Sequence, residues 1–311
     1  MNSLCGHHVI SIADFSRDEL VRMLETAARL KRTPSLVHTL ATGRTMAMIF
    51  EKPSLRTRVT FETAMTQMGG HAIYLQPADI GLGKREPVKD VAQNLSRWVQ
   101  LIMARTYAHA TLQELATHAG VPVINALSDR EHPCQALADF QTLAEYKGEV
   151  AGRALTYVGD GNNVAHSLML LSAILGVHFT AACPEGYQPT PPIVAQARTL
   201  AMATGARITV TTDPVAAAQD ADALYTDVWA SMGQEAESVE RRRVFPPYQL
   251  NADLLRRAKP DALVMHCLPA HRGEEIAAEV LDGPQSVVLD QAENRLHAQK
   301  AVMALALGWQ G

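Results

Sequence analysis

A loop near residue 55 carries side chains of the types that bind phosphate. Residues 51–58 read EKPSLRTR and join a short apolar segment to a predicted helix. Free N–H groups at the start of a helix bind anions, and an arginine offers phosphate oxygens a planar fork of donors. With Ser54 as the cap, Thr57 as a hydroxyl group and Arg56 as the fork, the loop predicts an anion site. The alternative is an ordinary capped helix whose arginines, Arg58 included, face solvent.

Other predicted strands are also followed by polar or reactive side chains. Arg105 follows one of them, and His132 precedes a helix that starts at Pro133. Cys267 follows another, either as a reactive thiol or as a buried, inert cysteine. Asp227 follows a fourth, where it could bind a cationic amine or cap a helix. Each residue alone has a purely structural interpretation, so only their combination indicates chemistry.

A glycine-rich turn offers a competing interpretation. Residues 159–163 read GDGNN and match half of a dinucleotide-binding fingerprint. That fingerprint needs a small residue three positions after its second glycine, and Val164 stands there instead. The departure counts against a dinucleotide-dependent dehydrogenase.

These loops must be positioned by helices and strands, which alternate along the whole chain. Apolar segments predict the strands, and apolar residues at helical spacing predict the helices between them. Such alternation is typical of parallel sheets that bind ligands at the carboxyl ends of their strands. The predicted fold class is α/β, with two doubly wound domains, each a mostly parallel sheet with helices on both faces. The predicted strands are 45–50, 71–75, 99–104, 121–126, 154–158, 177–183, 207–211, 223–227, 262–266 and 286–289.

Helix signals give the predicted element starts and the domain limits. Capping boxes at residues 16–19 and 111–114 predict two helix starts, and a proline at 133 predicts a third. Glycines at 148 and 152 mark the predicted domain boundary. The predicted domains are 1–148 and 149–290, followed by a C-terminal helix, 291–311, that packs back on the first domain.

Composition excludes several classes of function. The chain of 311 residues carries 28 basic and 32 acidic side chains, a formal charge of −4, so it lacks the positive field of a general nucleic-acid binder. The most apolar segment, 168–177, is far shorter than the ~20 residues that span a membrane. No basic segment followed by an apolar run opens the chain, so no secretion signal is expected.

The cysteines indicate a compartment. Cys5, Cys134, Cys183 and Cys267 are widely separated and show no paired spacing. This pattern predicts free thiols in a reducing compartment, and therefore a cytoplasmic protein, rather than a disulfide framework or a zinc cluster. No histidine or cysteine spacing suits a metal ion, so we expect neither a metal nor an organic cofactor.

Taken in chain order, the motifs resemble those of the aspartate/ornithine carbamoyltransferase family. Residues 54–58, SLRTR, match its carbamoyl phosphate signature, and residues 132–135, HPCQ, match its second motif. Asp227 with residues 231–233, SMG, and residues 266–269, HCLP, match the motifs of members that use ornithine. The resemblance covers nearly the whole chain. It implies a carbamoyl phosphate-binding domain followed by an ornithine-binding domain.

The resemblance also implies roles for single residues. Arg105 and His132 would polarise the carbamoyl oxygen, Gln135 would receive the carbamoyl amide, and Cys267 would border the reacting amine; Arg105, His132 and Cys267 are the implied catalytic residues. The implied carbamoyl phosphate-binding residues are Ser54, Leu55, Arg56, Thr57, Arg105, His132, Pro133, Cys134, Gln135, Cys267, Leu268 and Arg295. The implied ornithine-binding residues are Asn163, Asp227, Ser231 and Met232.

Two positions depart from the family pattern. Leu55 stands where threonine is common, a change compatible with use of the backbone N–H alone. Gly81 stands where many members have a glutamine that reaches carbamoyl phosphate in a neighbouring subunit. Whether Lys84 or Arg85 supplies such a contact is left open by the sequence.

The implied activity is transfer of the carbamoyl group of carbamoyl phosphate to the δ-amine of L-ornithine, which gives L-citrulline and phosphate. The resemblance further implies a homotrimer or a multiple of trimers, with small-molecule substrates and no nucleic-acid or membrane partner. The alternatives are a carbamoyltransferase for another amine, such as putrescine or an acylated ornithine, a dinucleotide-binding protein, and an inactive relative. Retention of Arg56, Arg105, His132, Cys267 and Arg295 argues against the last.

Overall fold

The computed structural model describes residues 4–230 and 235–310. Ser231 and Met232, both implied to bind ornithine, lie outside these ranges. No helix in the described part of the chain combines the length and the apolar character needed to cross a membrane.

The chain divides into two compact units. The first comprises the described residues up to Gln141 together with those from Glu293 onward, and the second comprises Thr142–Ala292. The two divisions fall within continuous helices, α6 (Pro133–Lys147) and α13 (Val288–Ala306). These divisions differ from the domain limits that the sequence predicts, at 148 and 290, and those limits stay predictions.

The first unit contains a parallel sheet of four strands in the order β2-β1-β3-β4. Its strands are β1 (Thr45–Phe50), β2 (His71–Leu75), β3 (Leu101–Arg105) and β4 (Val123–Leu127). Phe50 pairs with Arg105, so β1 and β3 end side by side. The helices that start in this unit, besides α6, are α1 (Arg17–Arg32), α2 (Leu55–Gln67), α3 (Pro77–Ile80), α4 (Val88–Trp98) and α5 (His109–His118), with 3-10 helices at Ile12–Asp14 and Pro34–Val37.

The second unit contains a parallel sheet of five strands in the order β7-β6-β5-β8-β9. Its strands are β5 (Ala154–Val158), β6 (His178–Ala182), β7 (Ile208–Thr211), β8 (Ala223–Thr226) and β9 (Leu263–His266). Its helices, besides the start of α13, are α7 (Asn163–Leu175), α8 (Pro191–Ala201), α9 (Pro214–Ala218), α10 (Ser238–Val244), α11 (Ala252–Leu255) and α12 (Ala278–Leu281), with 3-10 helices at Glu235–Glu237 and Pro246–Tyr248.

Each unit has an apolar core built from strand and helix residues. In the first, Ile49 and Ile102 of the sheet are buried with Val91 of α4 and Leu112 of α5. In the second, strand residues such as Leu224 and Val264 pack with residues of the helices and loops that cover the sheet. Burial of such runs is the main stabilising contribution in a parallel sheet, because both of its faces must be covered.

The order of strands in each sheet shows where ligands should bind. In the first sheet β2 and β3 lie on opposite sides of β1, and in the second β6 and β8 lie on opposite sides of β5, so the strand order reverses between β1 and β3 and between β5 and β8. Open α/β sheets bind ligands at such reversal points, beyond the carboxyl ends of the strands. The loops after β1 and β3, and those after β5 and β8, are therefore the expected ligand-binding positions.

The predicted fold class is confirmed, with two parallel sheets flanked by helices. Two local predictions are wrong. Helix α5 begins at His109 without a side-chain cap, because Asp129 accepts the His109 N–H at 2.8 Å and replaces the predicted cap at Thr111. The predicted strand 286–289 is reduced to one bridge between Ser286 and Val264, since α13 already begins at Val288.

Candidate active site

The loop after β1 ends in a capped helix, as the sequence predicts. Ser54 has an extended backbone and its hydroxyl accepts the Thr57 N–H at 3.3 Å at the start of α2. The same hydroxyl lies 3.1 Å from Thr57 Oγ1. A capped helix start of this kind is where first-turn N–H groups and the helix dipole favour an anion.

Thr57 joins two arginines from distant parts of the first unit. Its buried Oγ1 accepts from Arg105 Nη1 at 3.4 Å and from Arg295 Nη2 at 3.3 Å. Arg105 ends β3 and Arg295 lies on α13, so three elements meet at one hydroxyl. The geometry brings together three residues that the resemblance implies for carbamoyl phosphate binding.

Arg295 is held on two further sides. Its Nη1 donates to Gln135 Oε1 at 2.6 Å, and Gln135 Nε2 donates to Asp139 Oδ1 at 2.7 Å. With its amide oxygen turned toward the guanidinium, Gln299 accepts from Arg295 Nη2 at 3.0 Å and donates to Thr60 at 2.6 Å. Gln299 was not predicted, although it lies one helical turn after Arg295 and therefore on the same face.

His132 is buried and neutral at physiological pH. Burial holds the pKa of its imidazole well below the usual value, and Arg295, Arg105 and Lys52 lower that pKa further. A neutral imidazole donates one hydrogen bond without adding charge. His132 can therefore polarise a carbonyl oxygen while the neighbouring arginines supply the positive charge.

Positive charge is concentrated here beyond what the motifs predict. Lys52, Arg105 and Arg295 are each at most 7% exposed. Burial lowers the pKa of the Lys52 ammonium, as does the nearby charge of Arg105. Lys52 Nζ lies 4.9 Å from the centroid of the Tyr107 ring. Buried cations repel one another in the absence of an anion, so the cluster suits a multiply charged anionic ligand.

The other predicted residues of the first unit contribute in different ways. The Leu55 side chain is 74% exposed, which leaves its backbone N–H as the group that could contact a ligand at the start of α2. Arg56 is half-buried on the first turn of α2. Pro133 and Cys134 open α6, and burial raises the pKa of the Cys134 thiol to about 12, which makes it an inert core residue. Its Sγ donates to the Asn125 carbonyl at 3.6 Å.

The Gly81 departure has a local cause. Gly81 closes α3 with φ of 54°, and a Cβ there would lie 2.9 Å from Arg85 Cβ. The Arg85 N–H also donates to the Gly81 carbonyl at 2.8 Å. Because this left-handed turn leaves no room for a side chain, the glutamine that many members of the resembled family have does not fit here.

Glu131, next to His132, is a buried carboxyl group whose protonation affects the stability of the fold. It is fully buried, its Oε2 accepts the Ile12 N–H at 3.0 Å, and burial raises the pKa of its carboxyl group to about 7. The folded state therefore holds this proton more tightly than the unfolded state, and stability falls as pH rises from about 4.5 to 7.

We expect Glu131→Gln to remove this pH-dependent loss of stability, because glutamine carries no proton that titrates in this range. Relative to wild type, its unfolding free energy should rise by up to about 3 kcal/mol between low and neutral pH. Parallel stability curves from chemical denaturation would contradict this.

In the second unit, the predicted acidic residue is the centre of a hydrogen-bonded group. Asp227 follows β8, and its Oδ2 accepts from Asn162 Nδ2 at 2.8 Å. Its Oδ1 accepts from Cys267 Sγ at 3.0 Å and from the Val228 N–H at 2.8 Å. Asn162 in turn caps α7. The loops after β5, β8 and β9 thus meet at one carboxylate, as expected for the ends of neighbouring parallel strands.

Of the other residues predicted on the ornithine side, the structure describes Asn163, Cys267 and Leu268. Asn163 is the first residue of α7, next to the Asn162 that contacts Asp227. Cys267 and Leu268 are half-buried and follow β9. Leu268 has φ of 57°, in the left-handed region.

The glycine-rich turn has a structural explanation. A Cβ on Gly161 would lie 2.2 Å from the Pro189 backbone nitrogen, so this glycine is required by close packing of two loops. The Asp160 carboxylate is engaged by Arg241 at 3.2 Å. Both features account for the GDGNN turn without a dinucleotide.

Two groups of described residues hold potential metal-ligand atoms close together. Atoms of Asp227, His266 and Cys267 lie within 4.8 Å of one another, as do those of His271, Glu274 and Glu275. In the first group His266 is unsuited, because one ring nitrogen accepts the Leu268 N–H and the other faces Glu275. In the second, Glu274 is paired with Arg242 at 2.9 Å. Neither group presents three available ligands.

Comparison with family models matches both halves of the chain. Residues 7–145 match the model described as "Aspartate/ornithine carbamoyltransferase, carbamoyl-P binding domain". Residues 151–306 match "Aspartate/ornithine carbamoyltransferase, Asp/Orn binding domain".

Individual relatives match over nearly their whole length. A protein of Thermococcus kodakarensis named ornithine carbamoyltransferase is 53% identical over 98% of this chain and 98% of its own. One of Pyrococcus furiosus named ornithine carbamoyltransferase, anabolic, is 53% identical with the same coverage. The solved structure of ornithine carbamoyltransferase from Pyrococcus furiosus has a TM-score of 0.96 at 52% identity and covers both chains completely.

Proposed function

We propose that this chain, which belongs to the aspartate/ornithine carbamoyltransferase family, transfers the carbamoyl group of carbamoyl phosphate to the δ-amine of L-ornithine. The products are L-citrulline and phosphate, a step of arginine biosynthesis. The observation that carries the proposal is the buried cationic cluster at Thr57, which combines Arg105 and Arg295 with neutral His132. This cluster has the charge and the donors that carbamoyl phosphate requires.

In the proposed reaction, the first unit binds carbamoyl phosphate. The phosphate lies at the start of α2, against the N–H groups of Ser54, Leu55 and Arg56 and the hydroxyl of Thr57, with Arg56 and Arg295 as charged donors. Arg105 and His132 donate to the carbamoyl oxygen, and Gln135 accepts from the carbamoyl amide. Gln135 Oε1 already accepts from Arg295 and has a second lone pair for this contact. Pro133 and Cys134 follow His132 at the start of α6, where Pro133, which has no N–H, can offer only its carbonyl oxygen.

The second unit binds ornithine. Asp227 is proposed to pair with the α-ammonium group, and Asn163, Ser231 and Met232 are proposed to bind the amino-acid end. Three donors already orient the Asp227 carboxylate, which supports a fixed binding role. Cys267 and Leu268 are proposed to border the reacting amine and the carbamoyl group.

The chemistry follows from these roles. A neutral δ-amine attacks the carbamoyl carbon, negative charge develops on the carbamoyl oxygen, and phosphate leaves. Donors fixed where charge develops usually make the largest catalytic contribution. Arg105 and His132 are such donors, and both are held in the buried part of the first unit.

An assay with a panel of amine acceptors tests the proposal. Purified protein is supplied with carbamoyl phosphate and with L-ornithine, L-aspartate, putrescine or N-acetyl-L-ornithine, and each ureido product and phosphate are measured. We expect citrulline from ornithine and little product from the others. Preference for putrescine or the acylated amine would favour the alternative acceptors, and no ureido product with any amine would refute the proposal.

Cys267 should position the amine rather than form a covalent intermediate. Its Sγ donates to a carboxylate, whereas a nucleophilic thiolate is activated by a base or a cation. We therefore expect Cys267→Ser to raise KM for ornithine and lower kcat, yet to retain measurable activity, with a smaller effect on carbamoyl phosphate affinity. Mass spectrometry of the wild type with carbamoyl phosphate alone should show no adduct. A carbamoylated Cys267 that converts to citrulline on addition of ornithine would contradict this role.

Assembly and location complete the proposal. A homotrimer, or a multiple of trimers, is supported by the family relationship and by exposed apolar side chains such as Leu55 and Val59 on successive turns of α2. Sedimentation equilibrium should give a multiple of three protomer masses. A cytoplasmic location is supported by the four cysteines, none of which forms a disulfide bond among the described residues.

A further inference from the structure

His266, at the end of β9, has both ring nitrogens engaged although it is fully buried. Nδ1 lies 2.8 Å from the Leu268 backbone nitrogen, and Nε2 lies 3.1 Å from Glu275 Oε1. Because the Leu268 N–H can only donate, Nδ1 must be the acceptor. The proton must then be on Nε2, from which it is donated to Glu275. One tautomer satisfies both contacts.

Glu275 is itself fixed from several directions. Its side chain is fully buried, and its Oε1 also accepts the His271 N–H at 2.5 Å. Its Oε2 lies 3.6 Å from His271 Nδ1, and its backbone carbonyl accepts the Leu250 N–H at 2.9 Å. A carboxylate anchored in this way can hold a neighbouring imidazole in one orientation.

The backbone that His266 holds is unusual. Leu268 has φ of 57°, a conformation that residues other than glycine, asparagine and aspartate rarely adopt. The preceding residue, Cys267, donates to Asp227 Oδ1 at 3.0 Å. The hydrogen bond from the Leu268 N–H to His266 therefore helps to fix the direction in which Cys267 and Leu268 present their groups.

We propose that Glu275 is a positioning residue for carbamoyl transfer, which acts through His266 to hold Cys267 and Leu268 in place. This inference rests on the proposed function. It extends that function to His266 and Glu275, neither of which the resemblance implies to contact a substrate. Glu275 fixes the tautomer and the ring orientation of His266. His266 then fixes the Leu268 N–H, and with it the turn that borders the reacting amine.

A purely structural role for the buried pair would have a different signature. Loss of packing would lower the melting temperature and weaken both substrates together. A positioning role predicts that kcat/KM for ornithine falls much more than the affinity for carbamoyl phosphate measured alone by calorimetry, because most of the proposed carbamoyl phosphate contacts lie in the first unit. It also predicts that any side chain able to accept the proton of His266 Nε2 restores activity.

Three variants test this distinction. Glu275→Leu removes the acceptor, and we expect kcat/KM for ornithine to fall about 30-fold, the scale typical when the partner that orients an active side chain is removed. Glu275→Gln keeps an acceptor oxygen and should stay within about threefold of wild type. Glu274→Gln is the matched control, because Glu274 is adjacent but pairs with Arg242 at the surface. A folded Glu275→Gln variant with the full loss would overturn the inference.

The decisive comparison uses His266→Asn. Asparagine can offer an oxygen to the Leu268 N–H but cannot reach Glu275, so it should retain about tenfold more activity than His266→Leu. In the His266→Asn background, Glu275→Leu should cost less than about threefold, because residues that act in one path are not additive. The same 30-fold cost in both backgrounds, or equal losses in the two His266 variants, would overturn the inference. Lack of citrulline formation by the wild type would instead refute the proposed function.

Discussion

Replacing Arg105 with glutamine is expected to lower kcat for citrulline formation by about 100- to 1,000-fold, the cost of losing one donor to a developing oxyanion. Arg105 ends β3 and donates to Thr57 at 3.4 Å, in the cluster where burial and charge keep His132 neutral. A neutral His132 cannot supply the missing positive charge. In the variant, His132 would therefore be the remaining proposed donor to the carbamoyl oxygen, and it carries no positive charge. Steady-state kinetics with saturating substrates measure the effect.

The stability of this variant separates a catalytic from a structural role. Arg105 lies with other buried cations, and its charge lowers the pKa of Lys52. Since removal of one charge relieves repulsion, the melting temperature should stay the same or rise. Arg97→Gln, which changes an exposed arginine on α4, should alter neither property. A folded Arg105→Gln enzyme with wild-type kcat would show that Arg105 does not touch the reacting group.

Replacing Asp227 with asparagine is expected to weaken ornithine binding by about 2 kcal/mol or more, roughly 30-fold in Kd. The physical reason is loss of the carboxylate charge that faces the α-ammonium group. Asparagine keeps one oxygen but also brings an NH2 group toward Asn162 or Cys267, both of which now donate to the carboxylate. Calorimetry with each substrate measures the change, and carbamoyl phosphate affinity should be unaffected.

A matched control is available in the same unit. Asp213 caps α9 by accepting the N–H groups of Val215 and Ala216, and asparagine is an equally good cap. Asp213→Asn should therefore leave both affinities unchanged. Equal weakening of the two substrates in Asp227→Asn would mean that the variant disturbs the fold rather than one binding site.

The fold and the strand-end loops could be predicted from the sequence because parallel sheets impose both. Once β1 and β3 are recognised as strands, Ser54 and Arg105 must lie at the same edge of the sheet. The same reasoning brings Asp227 near Cys267 in the second sheet. By contrast, Thr111 and the segment 286–289 had the composition of a cap and a strand, and tertiary contacts overrode both.

The residues that were missed act through other side chains, which local patterns do not reveal. Gln299 could have been found from its four-residue spacing to Arg295 on α13. Lys52 could have been suspected from its position just after β1, but its burial beside Arg105 depends on tertiary packing. Glu275 gave no signal, because its contact with His266 depends on the turn that returns the chain to the end of β9.

The most direct test of the account is to detect the bond that the reaction forms. The protein is incubated with ¹³C-labelled carbamoyl phosphate and with L-ornithine labelled with ¹⁵N at the δ position only, and the products are followed by NMR. The account predicts citrulline whose ureido carbon shows one-bond coupling to the labelled nitrogen, formed in equal amount to phosphate. Release of phosphate without a coupled signal, or coupling seen only when the α-nitrogen carries the label, would contradict it.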